Sequence, residues 1–253
     1  MSGFMEFDLG NTEKAIKKPV TNFKVEDGKS YRVSLAWWMP LDGADNKFDF
    51  ESNPKFIKAA RYYKQGLGYV IHDESVGEEL KRLMGESPKE RFATILVQWK
   101  CSDDGSVDQN AFVAGRDYKV LPWIMSQEKL TTLLRVHKNF GISEVDINIT
   151  CPKGGAQYQK MDIMPINRSF KGVAHGNLLR FAMENDKEPM QKMAADIFAE
   201  VERISGSIRD QIGRQYTIGE IKEKLGMEVA PSGGANTGAE NADDILDSIL
   251  PPY

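Results

Sequence analysis

The sequence predicts a mainly β fold with peripheral helices, an α+β arrangement, on three observations. Short apolar runs alternate with a period of two, as in Tyr31, Val33, Leu35 and Trp37 against Arg32 and Ser34. Glycine- and proline-bearing turns separate these runs at short intervals. Helical spacing of three and four is confined to a few segments, the longest at 188–212.

The elements follow in order. Residues 1–22 are polar and read as an arm carrying Lys14, Lys17 and Lys18. Phe23–Val25 is strand-like, Asp27-Gly28 is a turn, and a strand follows at Tyr31–Trp38. Pro40, Gly43 and Asn46 mark a loop. A short helix is expected from Ser75, with Ser75 and Glu78 as a capping box, Val76, Leu80 and Leu83 as its apolar face, and Gly85 as its stop. Phe92–Trp99 is a strong strand and Tyr118–Val120 a second. Residues 127–139 read as a helix ended by Gly141. Val145–Thr150 and Tyr158–Ile166 pair as a hairpin across the Cys151–Gly155 turn. Met190, Met193, Ile197, Val201, Ile204, Ile208 and Ile212 line one face of a helix that Gly206 weakens. Thr217 and Glu220 open a last helix stopping at Gly226. Small and polar residues from Pro231 to Asn241 behave as a flexible linker. The expected organisation is an arm at 1–22, a barrel domain at 23–226, a linker at 227–241 and a tip at 242–253. An OB-type five-stranded barrel with C-terminal helices and a disordered acidic tail fits this order, because that barrel gathers aromatics and cations on one open face.

Composition excludes several classes. No apolar run approaches the roughly 18 residues of a membrane span. The N-terminus lacks a basic region followed by an apolar stretch, so no secretory signal is expected. Two cysteines, Cys101 and Cys151, are too few for a disulfide scaffold and point to the cytoplasm. With three scattered histidines they give no zinc-ligand spacing, so no metal or cofactor is expected. Asp27-Gly28-Lys29-Ser30 ends like a phosphate-binding loop, but Phe23 stands where that loop needs glycine, and a strand follows where it needs a helix. No nucleophile elbow or metalloprotease motif is present. The expectation is a protein without enzymatic activity.

Charge is segregated. Glu228, Glu240, Asp243, Asp244 and Asp247 follow the last cation, Lys224, and the net charge of −4 becomes +1 when these five are set aside. Within the near-neutral remainder, cations interleave with aromatics. Lys58, Arg61, Tyr62, Tyr63, Lys64 and Tyr69 form one such stretch, Lys89 and Arg91 precede Phe92, and Arg116 and Lys119 flank Tyr118. Cations that track phosphates and flat side chains that stack on bases are what a single-strand binder needs. Each ring is equally open to a place in the core, with Trp37 and Trp99 the stronger core candidates. Beyond the linker, Asp243, Asp244 and Asp247 alternate with Ile245, Leu246, Ile249 and Leu250. Such an acidic-apolar peptide suits a basic, apolar-lined groove on a partner, or the protein's own groove. A second reading makes the barrel a protein-interaction adaptor whose aromatics anchor an interface.

Several segments resemble the helix-destabilising single-stranded-DNA-binding proteins of T-even-like bacteriophages. RFATILVQW resembles a core strand of that family, and VDINITCPKGGAQYQKMDI resembles its hairpin most specifically. MQKMAADIF and TIGEIKEKLG resemble its closing helices, and ADDILDSIL its acidic C-terminal region. The resemblance spans roughly residues 30–250. It implies an OB fold, sequence-tolerant binding of single strands, and roles in replication, recombination and repair inside an infected bacterium. It also implies recruitment of replication and recombination proteins by the tail. By position, Arg91 and Phe92 fall at an aromatic pair of the family's cleft. Tyr63, Lys64 and Tyr69 lie near another of its aromatics, and Phe170 near a further one. Two differences stand out. The family's zinc subdomain has one His and three Cys ligands, whereas residues 56–90 hold only His72 and no Cys; the helix at 75–84 and local packing are expected to replace the metal. The family's basic arm motif is also absent here, so cooperative binding is not implied.

Overall fold

A computed structural model of the chain describes residues 20–36, 39–40, 48–50, 55–101, 113–156, 160–166 and 176–227. Its strands are β1 (Ser30–Leu35), β2 (Met39–Pro40), β3 (Phe48–Asp49), β4 (Ile57–Lys64), β5 (Gly68–Ile71), β6 (Lys89–Trp99), β7 (Tyr118–Met125), β8 (Asp146–Thr150) and β9 (Asp162–Ile166). Its helices are α1 (Gly77–Met84), α2 (Gln127–Phe140), α3 (Leu178–Met183), α4 (Glu188–Ser205), α5 (Ile208–Ile212) and α6 (Ile218–Lys224). No helix among the described residues is long and apolar enough to cross a membrane.

Seven strands make one open antiparallel sheet in the order β5-β4-β6-β1-β8-β9, with β7 also on β6, while β2 and β3 form a separate ribbon. Strand β6 organises the sheet. Along one edge it pairs with β7 from Phe92 to Trp99. Along the other it pairs first with β4, from Lys89 to Ala93, and then with β1, from Leu96 to Trp99. From Phe92 to Val97 every β6 side chain is buried. That is why FATILVQW is a continuous apolar run: a strand covered on both faces has no polar side to alternate with. The predicted hairpin forms, with Asn148 opposite Met164 and Thr150 opposite Asp162.

The main core lies between the sheet and the helices. The three-four spacing of α4 puts Met190, Met193, Ile197, Val201 and Ile204 in that core. Full burial of each such side chain stabilises by about 1.5–3 kcal/mol. Gly206 ends α4, and the predicted single helix continues as the separate α5.

A polar node is set inside this core. Asp146 and Arg32 are both buried, and Arg32 Nε donates to Asp146 Oδ2 at 2.7 Å. Ser34 Oγ donates to Asp146 Oδ1 at 2.5 Å and accepts from Trp99 Nε1 at 2.7 Å. The Leu178 amide also donates to Asp146, at 3.2 Å. One carboxylate thus ties β1, β8 and the start of α3 directly, and β6 through Ser34. Burial pushes the Asp146 carboxyl above its ordinary range, against the opposing pull of Arg32, Ser34 and the Leu178 amide.

A second, smaller core holds the β4–β5 hairpin. Tyr62, Leu67, Val70, Leu80, Leu83, Met84 and Ile221 bury one another, joining the hairpin to α1 and α6. The start of this unit differs from the capping box expected at Ser75 and Glu78. Asp73 is the cap instead, accepting from the Ser75 amide at 2.9 Å at the head of a 3-10 turn over Glu74–Val76. Helix α1 begins only at Gly77, without a side-chain cap. The 3-10 turn takes up the residues that the capping box would have used. Gly85, at φ 74°, ends α1 as expected. The Thr217–Glu220 capping box is formed, with both reciprocal bonds present.

Candidate functional site

Antiparallel register decides which side chains meet. Strand side chains alternate between faces, and directly paired residues share a face. Arg61 pairs with Lys89, Ala59 with Arg91, and Tyr63 with Tyr69. Arg61, Tyr63, Tyr69, Lys89 and Arg91 therefore lie on one face of the β5-β4-β6 edge. Lys58, Tyr62, Lys64 and Phe92 lie on the other.

The first face opens into a cleft of about 1070 Å³. The cleft runs from the β4–β5 hairpin, past the first turn of α2, to the β8–β9 hairpin and the segment 22–25. Lys24, Arg61, Lys89, Arg91, Lys129 and Lys160 line it against the carboxylates Glu86, Glu128 and Asp162. A chain of net charge −4 thus carries a cleft with twice as many cations as anions.

Aromatic rings stand at one end. Tyr63 and Tyr69 are 58% and 47% exposed, with ring centroids 5.3 Å apart. Arg61 Cζ lies 3.6 Å from the Tyr69 ring centroid, and Arg61 donates to the Ile212 carbonyl at 2.5 Å. Partial burial lowers the Arg61 guanidinium to about 10, with a smaller push from the Arg91 charge. Behind the hairpin the chain from α5 to α6 adds a parallel bridge: the Arg214 amide donates to the Tyr69 carbonyl at 2.9 Å, and the Ile71 amide to the Arg214 carbonyl at 2.9 Å. A side chain at residue 213 would need the β5 backbone to give by a few tenths of an ångström. A Cβ on Gly213 would lie 3.1 Å from the Tyr69 carbonyl oxygen.

The residues expected from sequence divide into groups. Arg61, Tyr63, Tyr69, Lys89 and Arg91 are brought together. Tyr62, Phe92 and Tyr118 are not available as stacking rings, because each is buried. Tyr62 packs in the small core with its hydroxyl 2.9 Å from His72 Nδ1, Phe92 belongs to the main core, and Tyr118 packs on Trp99. Burial lifts the Tyr118 phenol to about 12, with a further push from Asp196 and Glu200. Lys58 pairs with Glu90, and Lys64 donates to the Met84 carbonyl at 3.3 Å; neither lines the cleft. Arg116 and Lys119 also lie outside it, and Arg116 pairs with Asp117 at 2.7 Å. The reason is the length of β6. Tyr118 faces Trp99, eight residues beyond Arg91, a run of about 26 Å along a strand. Phe170 and the tail residues Asp243, Asp244, Ile245, Leu246, Asp247, Ile249 and Leu250 lie outside the described residues, as do Trp37 and nearly all of the arm.

Lys24, Lys129 and Lys160 were not singled out from sequence. Lys24 had a signal, since burial of Phe23 and Val25 on either side turns it outward. Lys129 and Lys160 had none, since nothing local ties a helix start and a hairpin arm to β6.

Among the described residues no cluster of three or more His, Cys, Asp or Glu side chains is arranged to hold a metal ion. Neither a scan against protein-family models nor a search of curated proteins returns a match to this sequence.

Proposed function

We propose that this protein binds single-stranded DNA along the cleft, with little sequence preference and without chemistry of its own. The observation that carries the reading is one sheet face holding Tyr63 and Tyr69 exposed beside Arg61, Lys89 and Arg91. Stacked rings grip any base, and the cations beside them neutralise the backbone. The resemblance to the helix-destabilising proteins of T-even-like phages supports the same reading. On that reading the protein protects and organises strands in phage DNA replication, recombination and repair, in the cytoplasm of an infected bacterium. The long β6, dividing one edge between β4 and β1, acts in this proposal as the shared strand of an OB-type barrel. The acidic-apolar tip at 242–253 recruits replication and recombination proteins and competes with DNA for the cleft.

The test is a fluorescence titration with oligo-dT and with duplex DNA. Trp123 is 2% exposed and cannot stack on a base, so the oligonucleotide carries the dye and binding is read as a rise in its fluorescence anisotropy. Log affinity falls against log salt by about 0.7 for each phosphate contacted. Equal affinity for duplex and single strand, or silence with both, overturns the reading and favours the protein-interaction adaptor. Deleting 240–253 raises oligo-dT affinity at low salt and abolishes partner recruitment; no change in either removes the role given to the tip.

A further inference from the structure

Three cations from three separate elements converge inside the cleft: Arg61 from β4, Arg91 from β6 and Lys129 from the first turn of α2. Arg61 pairs with Lys89, so Arg91 is its diagonal neighbour on the same face, about 7–8 Å away by sheet geometry. Helix α2 follows β7 directly, and the last β7 residue, Met125, pairs with Phe92. That pairing brings the first turn of α2 alongside Arg91. Arg91 acts on both of the others. The Arg91 charge lowers both Arg61 and Lys129, in each case adding to the larger effect of partial burial, and against the opposite pull of Tyr69 on Arg61 and of Glu128 on Lys129. Like charges held together and partly out of water are a standing cost to the folded protein. Sequence spacing does not force that cost, because residues 61, 91 and 129 meet only through the fold.

An anion placed among the three removes the repulsion and takes several charge-assisted hydrogen bonds. Arg61 is already held for this, with its guanidinium carbon over the Tyr69 ring and one N–H fixed on the Ile212 carbonyl. The first turn of α2 adds the positive end of a helix to the same corner.

We propose that Arg61, Arg91 and Lys129 form a discrete seat for a single phosphate group, the fixed point from which a bound strand runs out over Tyr69 and Tyr63. The seat deepens the strand-binding reading and rests on it for the identity of the ligand. The chemistry recognised is a tetrahedral phosphate oxyanion, supplied by a phosphodiester within a strand or by a terminal phosphate.

The experiment is thermal unfolding of the full-length protein in inorganic phosphate and in chloride at equal ionic strength. Line broadening of the phosphorus resonance of inorganic phosphate is read in parallel. Phosphate raises the midpoint by several degrees over chloride, and the resonance broadens. Arg91→Gln and Lys129→Gln each abolish most of that rise, and each raises the midpoint in chloride, because a repulsive charge is gone. A residue that merely supported the fold would lower it. If Arg91→Gln does not fold, Lys129→Gln and the wild-type resonance carry the test. Identical midpoints in phosphate and chloride with no broadening overturn the seat, as does an undiminished phosphate response in both variants. Oligo-dT bearing a 5′-phosphate, compared with oligo-dT ending in a hydroxyl, separates the sources: tighter binding of the former assigns the seat to strand ends, and equal binding to internal phosphodiesters. Oligo-dT binding without a phosphate response sinks the seat and leaves the strand-binding reading intact. A phosphate response without oligo-dT binding does the reverse.

Discussion

Arg61 lies over the Tyr69 ring, its guanidinium carbon 3.6 Å from the ring centroid, while its N–H group donates to the Ile212 carbonyl. Tyr69 is still 47% exposed with this contact in place, beside the more exposed Tyr63.

On the proposed function these two rings carry stacking and the buried ones do not. Tyr63→Ala and Tyr69→Ala each weaken oligo-dT binding by about 1–3 kcal/mol, roughly five- to a hundredfold or more. Phe92→Ala instead destabilises the protein by about 3–5 kcal/mol, as expected of a ring in the main core. Titration and urea unfolding of the same variants separate the two effects.

Cations divide in the same way. Lys89→Gln and Arg91→Gln each make the salt dependence of oligo-dT affinity shallower by about 0.7. Lys58→Gln, Arg116→Gln and Lys119→Gln leave the slope unchanged, because none of the three lines the cleft. Affinities measured across a salt series decide this. A slope change in Arg116→Gln or Lys119→Gln would mean that the strand leaves the cleft along β7.

The buried pair in the core makes a prediction independent of any ligand. Asp146→Ala removes the buried carboxylate that Arg32, Ser34 and the Leu178 amide share and costs about 3–5 kcal/mol. Replacing both Asp146 and Arg32 with apolar side chains of similar volume recovers most of that loss. Urea unfolding of the single and double variants measures both.

The Tyr118 phenol stands at about 12, above the ordinary 10.0, chiefly through burial. An acid whose folded value is raised keeps its proton in the folded state while the unfolded chain has lost it. Its contribution to stability is therefore complete below pH 10 and is lost as pH rises through 10 toward 12. Tyr118→Phe removes this part of the alkaline loss and leaves oligo-dT affinity unchanged. Unfolding midpoints across that pH range, together with a titration near neutrality, check both halves.

Much of the fold was legible because it is local. The Thr217–Glu220 capping box, the stop at Gly85 and the weak point at Gly206 each depend on a few neighbouring residues, although the sequence read one helix where Gly206 in fact separates two. So does the 146–166 hairpin, whose turn lies between its strands. The site was legible only in part. Arg61, Tyr63 and Tyr69 lie close in sequence, but their face depends on the pairing of β4 with β6, and sequence carries no register between distant strands. The apolar run Phe92–Val97 hid its faces, being buried on both. This is why Phe92 read as a stacking ring and why Tyr118 read as part of the same surface as Arg91. At Ser75 the difficulty was smaller in scale. Asp73 and Ser75 both carry oxygens able to cap, and the 3-10 turn over Glu74–Val76, which contains Ser75, takes Asp73 as its cap.

The bridge from Arg214 to the β5 edge, with Ile221 packed behind it, joins one of the earlier hairpins to nearly the last described residues. Such a contact closes a very long loop and forms late in folding. During synthesis, the hairpin bearing Tyr63 and Tyr69 leaves the ribosome long before the segment that braces it. The nascent chain therefore has its rings before it has a rigid place for them, and the site matures only after the segment from Gly213 to Ile221 has been made.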